Sequence, residues 1–431
     1  MAELAAFRAW RFYRSPASNP APPGRIASRS SAALDNLRGI VILIVLGFHS
    51  ALAYVSWVSP PVVPFDSPPY NWRAFPIVDQ QRFFGFDLMC AWQDVYLMSL
   101  MFFLSGLFVW PSLQRKGAFG FVRQRALRLG IPYVFGITVV IPIAVYPAYR
   151  VTAMDPSITS YWHALLGLPF WPNGPLWFLW QLFALNLIAA FVLSRAPDLA
   201  RDLGRWSAPA RTRFGAYFAA LLAASALAYV PLALAFTPWA WSDSGLLAVQ
   251  FCRPLNYAVY FFAGIGVGVE GIDRGLVAAD GVLARYWARW LAAALLALAL
   301  WMGLTALTLQ PDAPTSIDIA AALAYVPACA TGCFFLVAVA LRFAARRSVI
   351  LGRLGADAYG LYLLHYLFVV WLQYLFLAVP LFAVLKATIV FALTLVFTWI
   401  TVGAVARIPL GARLIGSARY RTAGFAPSVS R

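Results

Sequence analysis

The sequence is poor in charged residues and in cysteine, and both shortages exclude classes of protein. Only 11% of its 431 residues are charged, whereas 62% are hydrophobic. A soluble domain would carry about a quarter charged residues. Four cysteines are too few for a disulfide scaffold, and no zinc-site spacing occurs. Cys329 and Cys333, four residues apart in an apolar stretch, are predicted to be small buried residues and not ligands. Lipid is therefore expected to solvate most of the surface.

Acidic residues are scarce relative to basic ones. The chain has 16 Asp and Glu against 33 Lys and Arg, which gives a net charge of +17. Such an excess can indicate nucleic-acid binding, but here the basic residues form short clusters between apolar runs, without a continuous basic face. We interpret them as determinants of membrane topology and expect no nucleic-acid partner. Only Lys116 and Lys386 are lysines, a bias that suggests a GC-rich bacterial genome.

Ten apolar runs of roughly 20 residues are long enough to cross a bilayer as helices. The predicted spans are 34–56, 91–110, 127–146, 175–193, 214–236, 246–269, 287–309, 317–341, 354–379 and 381–405. The sequence therefore predicts an all-α, polytopic integral membrane protein with about ten transmembrane helices. Residues 34–405 form its membrane domain, with no separate soluble domain. Residues 1–33 are expected to be a disordered basic cytoplasmic tail, and residues 406–431 a cytoplasmic C-terminal tail.

The connections between these spans alternate in basic content. The even connections and both terminal tails carry most of the arginines, whereas the odd connections hold little beyond Arg73, Arg82 and Arg150. Cytoplasmic loops are enriched in Lys and Arg, so this pattern places both termini in the cytoplasm and requires an even number of spans. The expected location is the inner membrane of a bacterium, with membrane lipid as the surrounding partner.

The first predicted span contains three ionisable side chains, Asp35, Arg38 and His49. Such groups are costly inside a membrane and are therefore functional candidates. His49 follows Arg38 by eleven positions, close to three helical turns, so both share one helix face roughly 16 Å apart along the axis. This spacing suits a long, thin substrate with an anionic head and a reactive far end, such as acyl-coenzyme A. In the structural alternative, Arg38 extends to the headgroups with Asp35 as partner, and His49 bonds a backbone carbonyl.

Five segments together resemble the membrane acyltransferase family 3. They are LDNLRG with His49 downstream, MFFLSGLF at 101–108, FVRQRALRLGIPY at 121–133, LWFL at 176–179 and YGLYLLH at 359–365. The resemblance covers residues 34–405, and the context of the second segment is most similar to the glucan biosynthesis protein C-like branch. It implies transfer of an acyl group, acetyl or succinyl, from cytoplasmic acyl-coenzyme A to a hydroxyl of an extracytoplasmic carbohydrate or related acceptor.

The resemblance also implies roles for particular residues. His49 is expected to be the catalytic centre, with Arg38 as the catalytic and donor-binding arginine of the same motif. Arg125 and Arg128 match the family's pair of arginines separated by two residues. Together with Arg123 they are expected to bind the phosphates of coenzyme A; their alternative role is membrane topology alone. Neither a metal nor a permanently bound cofactor is expected, because a thioester needs no metal activation.

The residues leave two mechanisms and several assignments open. Neutral imidazole at an apolar site can act as a general base, while an acyl-imidazole intermediate would make His49 the nucleophile. His365 and Ser105 form a second candidate site, in which His365 acts in catalysis or orients the acceptor and Ser105 lines the channel. The alternatives are a hydrogen-bonded structural histidine and a small residue at a helix contact.

Transport is the competing function. A transporter or flippase for a polar or lipid-linked molecule could use buried Arg and His side chains to bind cargo or relay protons. Several spans contain proline, for example Pro132, Pro142 and Pro327, and such helices can be broken. However, the two halves of the sequence contain no pair of equivalent interrupted segments, which favours the enzyme.

Overall fold

The computed structural model describes residues 28–61, 63–208, 214–242 and 244–415, which are mostly helical. The helices in chain order are α1 (Arg29–Ala51), α2 (Phe84–Gly106), α3 (Val109–Thr152), α4 (Ile158–Leu166), α5 (Trp177–Arg195), α6 (Pro197–Ser207), α7 (Phe214–Phe236), α8 (Pro254–Glu270), α9 (Val282–Arg285), α10 (Trp287–Thr308), α11 (Thr315–Phe343), α12 (Val349–Phe376), α13 (Ala383–Val405) and α14 (Pro409–Leu414). These residues form two isolated β-bridges and no strand. The all-α prediction is thus confirmed, while residues 1–27 and 416–431 of the predicted tails lie outside the described residues.

Nine helices in the described ranges are long and apolar enough to cross a membrane: α1, α2, α3, α5, α7, α10, α11, α12 and α13. They coincide with nine of the predicted spans, although several ends differ. The first helix begins at Arg29 and not at residue 34, because Ser28 caps it by accepting a hydrogen bond from the backbone N–H of Ser31. The remaining predicted span, 246–269, contains α8, which has only 17 residues.

α8 is short because the first part of its predicted span is a loop. Arg253, which directly precedes the helix, is 2% exposed and donates hydrogen bonds to the backbone carbonyl and the carboxylate of Asp94 in α2. A buried guanidinium needs such a partner, and proline favours a helix start, here at Pro254. Small residues then bring α8 against α2, since a Cβ on Gly106 or Gly264 would overlap the facing backbone. Gly106 therefore lies at a close contact between the two helices.

α3 runs from the basic cluster into the third predicted span, with two π-helical segments, Ala126–Gly130 and Gly136–Val140. Pro132 and Pro142 each follow one of these segments by two residues. Because proline has no N–H, the regular hydrogen bond to the carbonyl four residues earlier cannot form, and a π segment accommodates this loss. The first π segment contains Arg128.

α1 and α12 pack against each other through small residues. An added Cβ on Gly39 would lie 2.5 Å from the carbonyl oxygen of Leu351, and one on Gly355 would lie 2.6 Å from that of Asp35. These contacts put the start of α12 beside the first half of α1, so the two helices run parallel. α11 is largely buried behind them, whereas α10 and α13 expose many large apolar side chains, as helices facing lipid do.

Several basic connections contact the start of α1 at one end of the bundle, here called the basic face. Asn36 donates hydrogen bonds of 2.7 Å to the carbonyls of Ala344 and Arg346, between α11 and α12. Ser30 accepts one from the backbone N–H of Ala279, between α8 and α9. The structure therefore gathers arginine-rich connections at the same end, as their alternation in the sequence predicts.

Three long connections pack together at the opposite end, here called the loop face: 55–83, 153–173 and 237–253. Arg73 donates a 2.8 Å hydrogen bond to the carbonyl of Ser242, and its guanidinium lies 4.0 Å from the centre of the Phe170 ring. The rings of Phe65 and Trp72 stack at 4.1 Å. These contacts give the first connection a defined structure directly above the end of α1.

Candidate functional site

His49 and His365 lie side by side where α1 and α12 approach the loop face. Their ring centroids are 5.0 Å apart, and the Tyr366 ring lies 5.5 Å from His49. His365 is fully buried and His49 is half-buried. His49 is the third residue from the end of α1 at Ala51, so the pair belongs to the half of the bundle nearer the loop face. The second candidate histidine is thus in contact with the first.

The hydrogen bonds of His365 fix its neutral tautomer. Its Nδ1 lies 2.7 Å from the carbonyl oxygen of Tyr362, which can only accept, so Nδ1 carries the proton. Its Nε2 therefore has the lone pair, and this atom is buried without a hydrogen-bond partner, as is Nδ1 of His49. Buried nitrogens without partners are rare and call for a functional explanation.

Two residues directly before the LWFL segment contact the tyrosines beside these rings from the side of α5. Tyr362 donates its hydroxyl hydrogen bond to the carbonyl of Pro175. Gly174 has a φ of 48°, and a Cβ there would meet the Tyr366 ring at 2.9 Å, so both its backbone conformation and its surroundings favour glycine. On the loop-face side, Gln373 donates a 2.8 Å hydrogen bond to the carbonyl of His49 and thereby holds the last turn of α1.

Three arginines gather near the basic face. The guanidinium of Arg38 lies 4.6 Å from the centre of the Phe108 ring and pairs with Asp35 at 3.1 Å. Arg38, Arg125 and Arg128 are close enough to repel one another electrostatically. Nε of Arg125 is buried without a partner. Arg128 is exposed and Arg125 is half-buried. Guanidinium groups match phosphate geometry well, so these three side chains form a candidate anion site.

α1 carries one member of the arginine cluster, Arg38, and one of the two histidines, His49, while Arg125 and Arg128 belong to α3. Arg38 and His49 lie on one face of α1, roughly 16 Å apart along its axis. On α12, Tyr359 lies within electrostatic range of Arg128 and has a buried hydroxyl without a hydrogen-bond partner. It is less than two turns before His365. The same two helices therefore link the anion site to the imidazoles.

Arg123 and Ser105 lie apart from these two groups. Arg123 is exposed, and residues two positions apart in a helix point in nearly opposite directions, so it faces away from Arg125. Ser105 is half-buried near the basic-face end of α2, whereas His49 is near the loop-face end of α1. The structure thus separates Ser105 from the histidines and leaves the roles of both residues as predictions.

Two ion pairs were not predicted as partners, one of which is buried on both sides and the other only at its arginine. Asp94 pairs with Arg253, as described above, and Lys386 pairs with Asp79 at 2.7 Å, with 1% and 2% of the two side chains exposed. An Asp in the second predicted span and a Lys in the last were visible as intramembrane ionisable residues. Their partners lie in distant connections, so the spans alone could not identify the pairs. No group of three or more His, Cys, Asp or Glu in the described part could hold a metal ion.

These features define a multi-pass membrane protein with an arginine cluster near one face and two adjacent imidazoles nearer the other. The family described as Acyltransferase domain matches residues 31–403. The chain therefore belongs to membrane acyltransferase family 3, and it is an acyltransferase that transfers groups other than aminoacyl groups. No curated protein and no solved structure matches the chain. The resemblance to the glucan biosynthesis protein C-like branch stays a prediction.

Proposed function

We propose that the protein transfers an acetyl or succinyl group from cytoplasmic acyl-coenzyme A to a hydroxyl of an extracytoplasmic carbohydrate or related acceptor. The observation that carries this proposal is the arrangement of the two groups along α1. An anion site at one face and an imidazole pair roughly 16 Å farther along the helix fit a donor with charged phosphates and a distant thioester. Only the acyl group would then need to pass to the loop face.

The donor would bind with its phosphates at the arginine cluster. Arg38, Arg125 and Arg128 supply guanidinium groups that can each form two parallel hydrogen bonds to phosphate. Their mutual repulsion in the free protein is relieved when an anion binds, which favours the bound state. The pantetheine arm would extend between α1 and α12 toward His49. The basic face would accordingly be the cytoplasmic one, in agreement with the positive-inside rule.

His49 would act as the general base. It takes the proton of the acceptor hydroxyl while the oxygen attacks the thioester carbon, the C–S bond then breaks, and the proton passes to the departing sulfur. The products are the ester and coenzyme A. In the alternative, the imidazole attacks the thioester carbon first and coenzyme A leaves as its thiolate. The hydroxyl then attacks the acyl-imidazole, the C–N bond breaks, and the hydroxyl proton passes to the released imidazole. Both routes use the nitrogen of His49 that is not directed into the protein.

His365 would position His49. A proton on Nδ1 of His49 can be shared with the lone pair on Nε2 of His365, which leaves Nε2 of His49 basic and directed toward the substrates. In the structure neither nitrogen has a hydrogen-bond partner, so the two neighbouring rings would form this bond by a small rotation. The hydrogen bond from Nδ1 of His365 to Tyr362 fixes the tautomer that accepts the proton, as second partners commonly do for catalytic imidazoles.

The test is acyl transfer by purified protein. Incubation with acetyl-coenzyme A or succinyl-coenzyme A should release coenzyme A, and mass spectrometry of envelope glycans from a deletion strain should reveal the missing ester. Uptake of a polar or lipid-linked molecule without any acyl donor, together with no release of coenzyme A, would instead support a transporter.

A further inference from the structure

A cavity of about 410 Å³ opens at the loop face beside the buried ion pair of Asp79 and Lys386. Its wall contains Gln80 and Gln81, which are exposed, and Leu377 from the connection between α12 and α13. The volume is in the range of pockets that bind small molecules. α13 otherwise presents mainly apolar residues, so the buried ammonium of Lys386 in its first turn is a functional candidate.

Backbone contacts connect the cavity to His49. The N–H of Asp79 donates a 2.8 Å hydrogen bond to the carbonyl of Ala53, which is four residues beyond His49 and roughly 7 Å farther along the chain axis. Lys386 reaches the carbonyl of Leu377 at 3.4 Å, at the end of the helix that carries His365. A ligand in this cavity therefore lies above the ends of both helices that carry the histidines.

The lining has the chemistry of a site for hydroxyl groups. Each carboxylate oxygen of Asp79 already accepts one hydrogen bond, Oδ2 from Lys386 at 2.7 Å and Oδ1 from the N–H of Gln81 at 2.8 Å. A carboxylate can accept about four, so about two acceptor positions are not used by these bonds, on a side chain that is 2% exposed and borders the cavity. The Gln80 and Gln81 amides can both donate and accept. Among the lining residues Asp79 and Lys386 carry the only formal charges, and these cancel.

A second cavity at the loop face, about 570 Å³, is less suited to this role. It is lined by residues of the connections 55–83 and 153–173 that include His163 and Ser160. The Ser160 hydroxyl already bonds Asp155, and hydrogen bonds from Ser160 and then Ser157 lower the pKa of that carboxyl. None of its lining residues is hydrogen-bonded to the end of α1 that carries His49.

We propose that the cavity lined by Asp79, Gln80, Gln81 and Lys386 binds the acceptor, and that it selects an uncharged, polyhydroxylated molecule. This inference rests on the proposed function, since it adds the acceptor site to the same reaction. Because Lys386 already neutralises Asp79, the lining offers an anionic sugar no unpaired cation, whereas neutral hydroxyls can hydrogen-bond with the glutamine amides and the carboxylate. Bound acceptor would present a hydroxyl toward the loop-face end of α1 and His49.

The test is saccharide binding to purified full-length protein in a detergent without a sugar head group. Maltotriose should raise the Tm in a concentration-dependent manner, while glucuronic acid at the same concentrations should not. The double variant Gln80→Ala/Gln81→Ala should need at least tenfold more maltotriose for the half-maximal shift. The variant Asp79→Asn/Lys386→Met replaces the ion pair with two uncharged side chains of similar size. It should show a comparable loss of maltotriose binding.

His163→Ala, in the larger cavity, is the matched control and should bind maltotriose as the wild type does. The proposal is overturned if maltotriose gives no shift, if glucuronic acid binds equally well, or if the His163 variant loses binding while the glutamine variant retains it. Release of coenzyme A from acetyl-coenzyme A, measured without saccharide in the same preparations, tests the proposed function separately. Failure of one assay therefore does not decide the other.

Discussion

Single residues on α1 and α12 account for the chemistry proposed here, and His49 is the central one. His49→Ala should lower acyl transfer per folded molecule about a hundredfold to ten-thousandfold if the imidazole is the base, and more if it is the nucleophile. Insertion should be unaffected, because alanine makes the span more apolar. The measurement is turnover of acetyl-coenzyme A in detergent, normalised to monodisperse protein, with the exposed His163→Ala as control. Near-normal turnover of the His49 variant would refute its catalytic role.

His365 calls for a different outcome. His365→Gln keeps a side chain that can accept a hydrogen bond, whereas His365→Phe fills the space without one. If His365 positions His49, the Phe variant should lose most of its kcat with an unchanged KM for acetyl-coenzyme A, and the Gln variant should recover part of the loss. If the Gln and Phe variants lose activity equally and also lose thermal stability equally, His365 has only a structural role.

The arginine cluster predicts an effect on donor binding. A hydrogen bond to a charged group contributes about 1.5–3 kcal/mol, so Arg125→Gln/Arg128→Gln should raise the KM for acyl-coenzyme A roughly tenfold or more. Arg123→Gln removes the same charge from a side chain that faces the opposite way, and it should change the KM much less. If the double variant and the Arg123 variant change the KM equally little, the basic run serves only membrane topology.

The sequence singles out candidate site residues but not the side chains that they contact. Arg38 and His49 could be related because helical periodicity fixes their spacing within one span. The contact of His49 with His365 depends on how α1 and α12 pack, and Asp79 and Lys386 are 307 positions apart in the chain. Periodicity within a span contains no information on such contacts, so these pairings required the three-dimensional structure.

Among the helices, α3 and α8 differ most from the sequence-based expectations. Mean hydropathy located the third span but not the helical basic run before it. A charged or amphipathic helix has a low mean hydropathy, so a search for apolar runs does not detect it. It also extended the sixth span through Arg253, since one charge in a long apolar run scarcely lowers the average. The buried pairing with Asp94 shows why that arginine ends the loop and does not lie within the helix.

The packing of α1 on α12 yields a matched pair of glycine variants. A Cβ at Gly39 would lie 2.5 Å from the Leu351 carbonyl oxygen, whereas a Cβ at Gly47, on the same helix, would meet nothing within 4 Å. Gly39→Ala should therefore destabilise the protein by about 1–3 kcal/mol through overpacking, and lower the Tm in detergent. Gly47→Ala should leave the Tm unchanged or raise it, because alanine favours helix. Equal effects would mean that the two helices do not touch at Gly39.

For the whole molecule, the gathered basic connections predict one orientation in the membrane. Reporter tags at the N-terminus, near Lys116, near Arg205 and at the C-terminus should all be cytoplasmic, and a tag near Ser67 should be on the other side. Accessibility of single introduced cysteines to an impermeant reagent in intact cells would measure this. Ser67 and Lys116 on the same side would contradict the arrangement of helices described here.

The closeness of the two imidazoles has an electrical consequence. Moving one charge across the whole membrane changes its free energy by about 2.3 kcal/mol per 100 mV. The hydrocarbon layer is about 30 Å thick, and the two rings are 5.0 Å apart. A proton that passes between the rings therefore crosses only a small part of the layer. Acetyl groups and hydroxyls carry no charge, so acetyl transfer in reconstituted vesicles should change less than about twofold per 100 mV. A tenfold dependence on voltage would mean that a charged molecule itself crosses, as in a transporter.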